Sequence, residues 1–299
     1  MKRAVSVSIG SSTRDKAVEI KLLGQRIRVE RIGTNGDMEA AAGLFRDLDG
    51  KVDAFGVGGA DLSIVVDGHA YPLYSARKLV RYVRKTPYVD GAGLKNTLEH
   101  QVAGVLERAL GDQIQLKRAF INLGSDRWGL SRGFVDAGYE CLFGDLMFAL
   151  GLNIPLRSLS AVKRLARILL PVVGHFPIAW MYPTGKEQEK RTPRWGRAFD
   201  WATVIAGDAL YITRYMPDSI PGKVVAANTT TPDDVALFRQ AGAKALVTST
   251  PVLEGRSFGT NMMEAALVAV AGKGRPLTHD ELRELLAQLK MEPQVQVLN

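Results

Sequence analysis

Asp90 and Lys95 stand five residues apart in YVDGAGLKNTL, where a short strand turns into a helix. A carboxylate and an amine held close together can share general acid–base work on a hydroxyl, because each tunes the proton affinity of the other. The same pair also reads structurally, with Asp90 in a turn and Lys95 an exposed helix residue. A second group lies in INLGSDRWGLSRGFVDAGYECLFGD, residues 121–145. It reads as strand, glycine turn, amphipathic helix and strand, with an acid at the end. That is the outline of a dinucleotide-binding βαβ unit, although the middle glycine of G-x-G-x-x-G is missing and Trp128 is bulky for such a turn. Gly124 permits a tight turn and Gly129 lets helix and strand approach. The free N–H groups at the helix start suit a phosphate, to which Ser125 and Arg127 add hydrogen bonds. Asp145, 21 residues after Gly124, stands where an acid binds ribose hydroxyls and disfavours a 2′-phosphate, which favours NAD over NADP. Its other reading is a cap on the helix LMFALG.

Further polar residues fall at strand ends, where an open α/β sheet places its chemistry. Gly207 and Asp208 end VIAGD. Asn228 and Thr229 end the run VVAANTTT, and Thr231 before Pro232 reads as a helix N-cap. Capping accounts for Thr231 and leaves Asn228 and Thr229 to line a site with Gly207. Arg256, Ser257, Thr260 and Asn261 precede a helix and read either as anion or substrate contacts or as a cap. Asn261 joins Ser11 and Ser12, which follow the first strand, as candidate substrate contacts.

The elements that must position these residues alternate. VSVSIG, VDAFGVGG, RAFINLG, YECLFGD, VIAGD, KVVAA and KALVTS are short apolar runs that read as buried strands, with helical stretches such as DMEAAAGLFRDL and PDDVALFRQAGA between them. KAVEIKLLGQRIRVERIG and LSIVVDGHAYPLYS read as hairpins. The expected class is α/β. An N-terminal α/β substrate domain spans 1–112, and a Rossmann-like, doubly wound parallel-sheet domain spans 113–299. Segment 155–197 interrupts the second domain. It holds nine Lys/Arg against Glu187 and Glu189 and so carries +7 of the chain's +8. In SAVKRLARILLPVV the cations at 163, 164 and 167 take one helix side and Leu165, Ile168, Leu169 and Val172 the other. Three readings stay open: a helix packed on the sheet with a solvated basic face, a lid over a phosphate-bearing ligand, or contact with an anionic membrane surface.

Because the charge is confined to one segment, a nucleic-acid reader is not expected. The single Cys141 excludes an internal disulfide and a cysteine-based zinc cluster, and in YECLF it reads as a buried, inert thiol. His69, His100, His175 and His279 have no metal-ligand spacing, so no metal is expected. The N-terminal apolar stretch is too short for a signal sequence, and a cytoplasmic setting is the default reading. The expected partner is a small-molecule substrate, with no membrane partner; a homodimer is left open.

The stretches DGAGLKNTLE, FGDLMFALGL and GRSFGTNMMEA resemble a bacterial group labelled quinate 5-dehydrogenase. The order of parts, with YVDGAGLKNTL just before the second domain, resembles the shikimate/quinate dehydrogenase family more distantly. The resemblance implies a substrate domain followed by a nicotinamide-binding domain, and hydride transfer at a secondary alcohol of a small polyhydroxy acid. It implies Asp90 as the catalytic acid partner. The motif N-V-T-x-P-x-K that supplies that family's lysine is absent, so Lys95, or more remotely Lys78, takes the role by proximity. Two rival readings remain: a nucleotide- or phosphosugar-dependent transferase on the same fold, and a non-enzymatic nucleotide-sensing or membrane-surface protein.

Overall fold

The computed structural model describes residues 1–178, 191–250 and 258–299, with only the backbone at 252–253 and 256–257. The strands are β1 (Lys2–Ser8), β2 (Lys16–Leu22), β3 (Gln25–Gly33), β4 (Ala54–Gly58), β5 (Ser63–Val66), β6 (His69–Pro72), β7 (Tyr88–Val89) and β8 (Arg118–Ile121). They continue with β9 (Glu140–Phe143), β10 (Val204–Gly207), β11 (Val224–Ala227), β12 (Ala245–Thr248), β13 (Val252–Leu253), β14 (Arg256–Ser257) and β15 (Gln294–Val297). The first six helices are α1 (Met38–Leu48), α2 (Tyr74–Arg77), α3 (Ala92–Thr97), α4 (Val102–Leu110), α5 (Trp128–Asp136) and α6 (Asp145–Leu150). The next six are α7 (Leu159–Val173), α8 (Gly196–Trp201), α9 (Ala209–Tyr215), α10 (Pro232–Gln240), α11 (Thr260–Ala271) and α12 (His279–Gln288).

The chain forms two compact units. One holds Met1–Leu94, Leu169–Glu187 and Gly259–Met291; the other holds Lys95–Ile168, Gln188–Phe258 and Glu292–Asn299. A single cut at 112/113 therefore does not describe the chain. The stretch KNTLEHQVAGVLERAL, from Lys95 on, begins the second unit, and α11 and α12 return to the first. Small residues explain the return of α11. Its Asn261 main chain lies 2.8 Å from where a Cβ on Gly56 would stand, so β4 must present glycine there.

In the first unit the sheet order is β2-β3-β1-β4-β7, parallel except for the β2–β3 hairpin. The expected second hairpin forms as β5–β6, with Asp67 and Gly68 both at positive φ in the turn. Phe45 of α1 meets Phe55 of β4 edge to face at 5.1 Å in a core that includes Val5, Val7 and Val57. Asp37 caps α1, its side chain accepting from the Ala40 amide.

In the second unit the order is β15-β12-β11-β10-β8-β9, parallel except for β15. This is the expected doubly wound, Rossmann-like sheet. The antiparallel edge strand β15 was not expected, because QVQV alternates and carries little apolar signal. From β8 the chain winds one way to β9, and from β10 it winds the other way to β11 and β12. The switch point thus lies between the carboxyl ends of β8 and β10. Phe120, Phe199, Ile205, Phe238 and Leu246 build the core.

Helix α7 corrects the reading of the basic segment. Its buried positions are Val162, Ala166 and Leu170, spaced by four, whereas Ile168 and Val172 are 70% and 58% exposed. Residues 179–190 lie outside the described residues, and with them the lid and membrane readings of that segment. No described helix is long and apolar enough to cross a membrane.

Candidate functional site

In the second unit, five strand ends bring their polar residues to one edge of the sheet: Asn122 after β8, Asp145 after β9, Asp208 after β10, Asn228 after β11 and Ser249 after β12. At the switch point, Asn122 knits β8 to β10. Its Oδ1 accepts from the Leu123 amide at 2.8 Å and its Nδ2 donates to the Asp208 carbonyl at 3.0 Å. Gly207 is required here. Its φ is +134°, and a Cβ would stand 2.0 Å from Asn122 Oδ1. Gly207 therefore makes room for a side chain of the protein, not for a cofactor.

Arg127 is the centre of the site. Only 3% exposed, it donates from Nη1 to Glu99 Oε1 at 2.5 Å and from Nη2 to Asp208 Oδ2 at 2.7 Å. Its fork can serve two carboxylates at once because the donors are fixed in a plane. Asp126 lies beside it, 3.3 Å from Nε, and takes the Lys95 ammonium at 2.8 Å. Three carboxylates (Glu99, Asp126 and Asp208) thus share two cations (Lys95 and Arg127). Burial pushes the Glu99 carboxyl up, while Arg127 and Lys95 pull it back. Asp208 is the outermost member, its side chain 25% exposed. Its Oδ1 caps α9 through the Leu210 amide at 2.9 Å, and its Oδ2 also accepts from Asn228 Nδ2 at 2.8 Å. Asn228 Oδ1 accepts from the Ala209 amide at 3.1 Å. The hydroxyl of Thr229, half-buried next to it, has no hydrogen bond among the described residues.

The first βα turn differs from the sequence reading. Asp145, 3% exposed, is the first residue of α6, and it turns both carboxylate oxygens back onto the turn. The Gly124 amide donates to Oδ2 at 3.0 Å and the Ser125 amide to Oδ1 at 2.8 Å. Asp145 therefore closes the amides that the sequence assigned to a phosphate, instead of capping its own helix. Burial raises its carboxyl and these hydrogen bonds lower it again. Gly124 is glycine because a Cβ would stand 2.7 Å from the Phe143 ring. Gly129 faces the backbone of residues 95–96, not a strand: a Cβ would lie 2.1 Å from the Lys95 carbonyl. Arg127 spends its fork on Glu99 and Asp208, two carboxylates of the protein itself.

The remaining candidates lie as follows. Asp90 is in the first unit, where its carboxylate accepts from the Leu62 amide at 2.7 Å and the Ala92 amide at 3.1 Å. Lys95 belongs to the second unit and is buried on Asp126, not solvated as its structural reading held. Each member of the expected acid–base pair therefore has its own partners. Asn261 donates to Ser6 Oγ at 2.7 Å and fastens α11 to β1. Ser11 caps a short turn, and Ser12 Oγ accepts from Asn35 at 3.0 Å. The side chains of Arg256 and Ser257 lie outside the described residues. Cys141 is buried, its thiol pushed up to about 12 mainly by burial, as expected of an inert cysteine. No group of three or more potential metal ligands occurs among the described residues. A hollow of about 190 Å³ lies at the opposite, amino end of the strands, beside Thr203, Val224 and Lys244.

Sequence reasoning missed Glu99, Asp126 and Asn122 and gave Asp208 no role. The signal for the first was present: Lys95 and Glu99 are spaced four apart within a helical stretch otherwise marked by Leu94, Leu98 and Val102.

Among solved structures, a malic enzyme from Entamoeba histolytica matches at 12% identity and a TM-score of 0.41, over 93% of this chain and 60% of that one. An NAD-dependent malic enzyme from Thermotoga maritima matches at 12% identity and a TM-score of 0.38, over 95% of this chain and 76% of that one. A periplasmic solute-binding protein of an ABC transporter from Actinobacillus succinogenes, with bound D-allose, matches at 11% and 0.37, over 99% and 98%. These are weak likenesses of fold and assign nothing to single residues. Among curated proteins none matches. The family model described as Domain of unknown function (DUF8753) matches residues 3–90. A second model matches residues 93–298, more than half of the chain, and the chain belongs to its family, described as Domain of unknown function (DUF8754).

Proposed function

We propose that the second unit binds a small, neutral, hydroxyl-bearing molecule, of the sugar or nucleoside class, at the switch point between β8 and β10. The observation that supports this reading is the state of Asp208. It stands at a strand end where open α/β sheets take their ligands, is one-quarter exposed, and is held still by Arg127 and Asn228. Its carboxylate carries three protein hydrogen bonds, which leaves room for about one more among some four lone-pair sites. A ligand hydroxyl can donate there and a second can pair with Thr229. The three carboxylates outnumber the two cations, so the site favours a neutral ligand over an acid.

The second reading is the one the sequence favoured: an oxidoreductase that binds NAD at the 124–129 turn and acts on a secondary alcohol of a quinate- or shikimate-like acid. The order strand, glycine turn, helix, strand, with Asp145 21 residues after Gly124, supports it. In that reading the nicotinamide cofactor supplies the hydride chemistry, and the turn must release Asp145 to receive a pyrophosphate.

Calorimetric titration of the full chain tests both. The ligands are ribose, adenosine, quinate, shikimate and the four nicotinamide dinucleotides; the variants are Asp208→Asn and Asp145→Ala. Binding of a neutral sugar or nucleoside that Asp208→Asn weakens about tenfold or more supports the switch-point reading. Dinucleotide binding that Asp145→Ala abolishes and Asp208→Asn leaves intact overturns it in favour of the oxidoreductase.

A further inference from the structure

We infer that the Asp145 carboxylate is a built-in occupant of the amide cradle in the glycine turn that precedes α5, and that it sets the second unit against phosphate-bearing ligands. Successive backbone amides that a turn points the same way form a small concavity that binds anions. Such a place takes a phosphate readily. Here the amides of Gly124 and Ser125, in the turn before α5, are filled from within, at 3.0 and 2.8 Å, by the two oxygens of one carboxylate. The carboxylate imitates two oxygens of a phosphate. It is also walled in. Asp145 is 3% exposed, the Phe143 ring lies against Gly124, and Ser131 Oγ donates to the Gly124 carbonyl at 3.1 Å from behind the turn. A phosphate brought to the same amides would have to displace a buried acid or sit against it, and like charges at that distance repel.

The spacing of Asp145 from Gly124 is the same in a dinucleotide site and in this closed turn. What separates them is where the carboxylate points. In a cofactor site it faces the ligand's ribose. Here it faces the protein's own backbone, so the acid that sequence patterns read as a mark of NAD acts to exclude the pyrophosphate. The inference rests on the switch-point reading only for the place of the ligand; the turn is tested by itself.

The probes are inorganic phosphate and pyrophosphate. The readouts are the backbone amide resonances of Gly124 and Ser125 and the melting temperature of the full chain. In the native chain, neither probe is expected to shift these amides in a saturable way. In Asp145→Ala the melting temperature should fall, and added pyrophosphate should restore part of it while shifting both amides. Pyrophosphate affinity is expected to rise at least about tenfold. Should the alanine variant not fold, Asp145→Asn keeps the size of the side chain and removes the charge, and the same gain is expected in smaller measure. Saturable shifts of both amides in the native chain, lost in either variant, would overturn the inference. Sugar or nucleoside binding, read on Asp208→Asn, reports separately on the switch-point site.

Discussion

In the first unit the amide of Leu94, at the glycine turn that opens α3, is met at 3.1 Å by Glu264, a carboxylate of α11 that follows 170 residues later. In the second unit the amides of Gly124 and Ser125 are met by Asp145, from the next strand end. Only the second turn reads in sequence as an anion cradle, yet both are closed by a buried acid of the same chain. Beyond that they part. The turn in the first unit is completed by Asp90, whose carboxylate accepts from the Leu62 and Ala92 amides and meets no cation among the described residues. The turn in the second unit adjoins a network of Lys95, Glu99, Asp126, Arg127 and Asp208, whose last member reaches the surface. Polar residues at strand ends therefore serve structure first. They become a candidate site where cations hold a carboxylate at a switch point with part of its hydrogen-bonding capacity unspent.

The largest expected effect falls on the feature that separates the two regions. Arg127→Met removes the main counter-charge of Glu99 and is expected to cost about 3–5 kcal/mol, the range for breaking a buried ion pair by deleting one partner. Urea unfolding followed by tryptophan fluorescence measures it; a loss below about 1 kcal/mol would mean that the network is no more demanding than an exposed pair. A smaller effect is expected in the first unit. Glu264→Met leaves the Leu94 amide buried without an acceptor, at a cost of about 1–3 kcal/mol. Faster hydrogen exchange at Leu94, with Gly124 unchanged, would locate the loss; faster exchange at both amides would break the comparison.

The smallest effect concerns acid. In the second unit, Glu107 accepts from Tyr139 at 2.6 Å and pairs with Lys117 at 2.8 Å, and these partners hold its carboxyl below its ordinary 4.5 against the opposing effect of burial. A lowered carboxyl contributes stability that is present above pH 4.5 and is lost as pH falls through the lowered value. Glu107→Gln should therefore flatten the stability profile of the second unit below about pH 4.5 and leave that of the first unit as it was. An unchanged acid limb in the variant would remove Glu107 from the account.

Much of the architecture was legible. The short apolar runs and the turns between them were enough to expect a parallel, doubly wound sheet, and Thr231 capping α10 followed from Thr-Pro-Asp-Asp. The membership of α11 was not legible. After Glu264, AALVAVA is apolar all round and names no partner, and only the small residues of β1 and β4 admit Asn261 against them. The site was legible as places and illegible as roles. The sequence reads Gly124 as a tight turn, Gly129 as an approach of helix and strand, and Gly207 as part of a site; what approaches them is Phe143, the Lys95 backbone and Asn122, all parts of the protein.

The sequence by itself determined the order of strands and helices and, with it, the strand ends at which polar residues would gather. Those follow from periodicity and turn chemistry, which act over a few residues. Only the tertiary structure decided which charge meets which. Lys95 goes to Asp126, Arg127 to Glu99 and Asp208, and Asp145 to the amides of Gly124 and Ser125. The physical reason is that the energy of a buried charge depends on the groups within a few ångströms of it. Neighbours at that distance are set by how strands and helices pack, not by how far apart they stand along the chain.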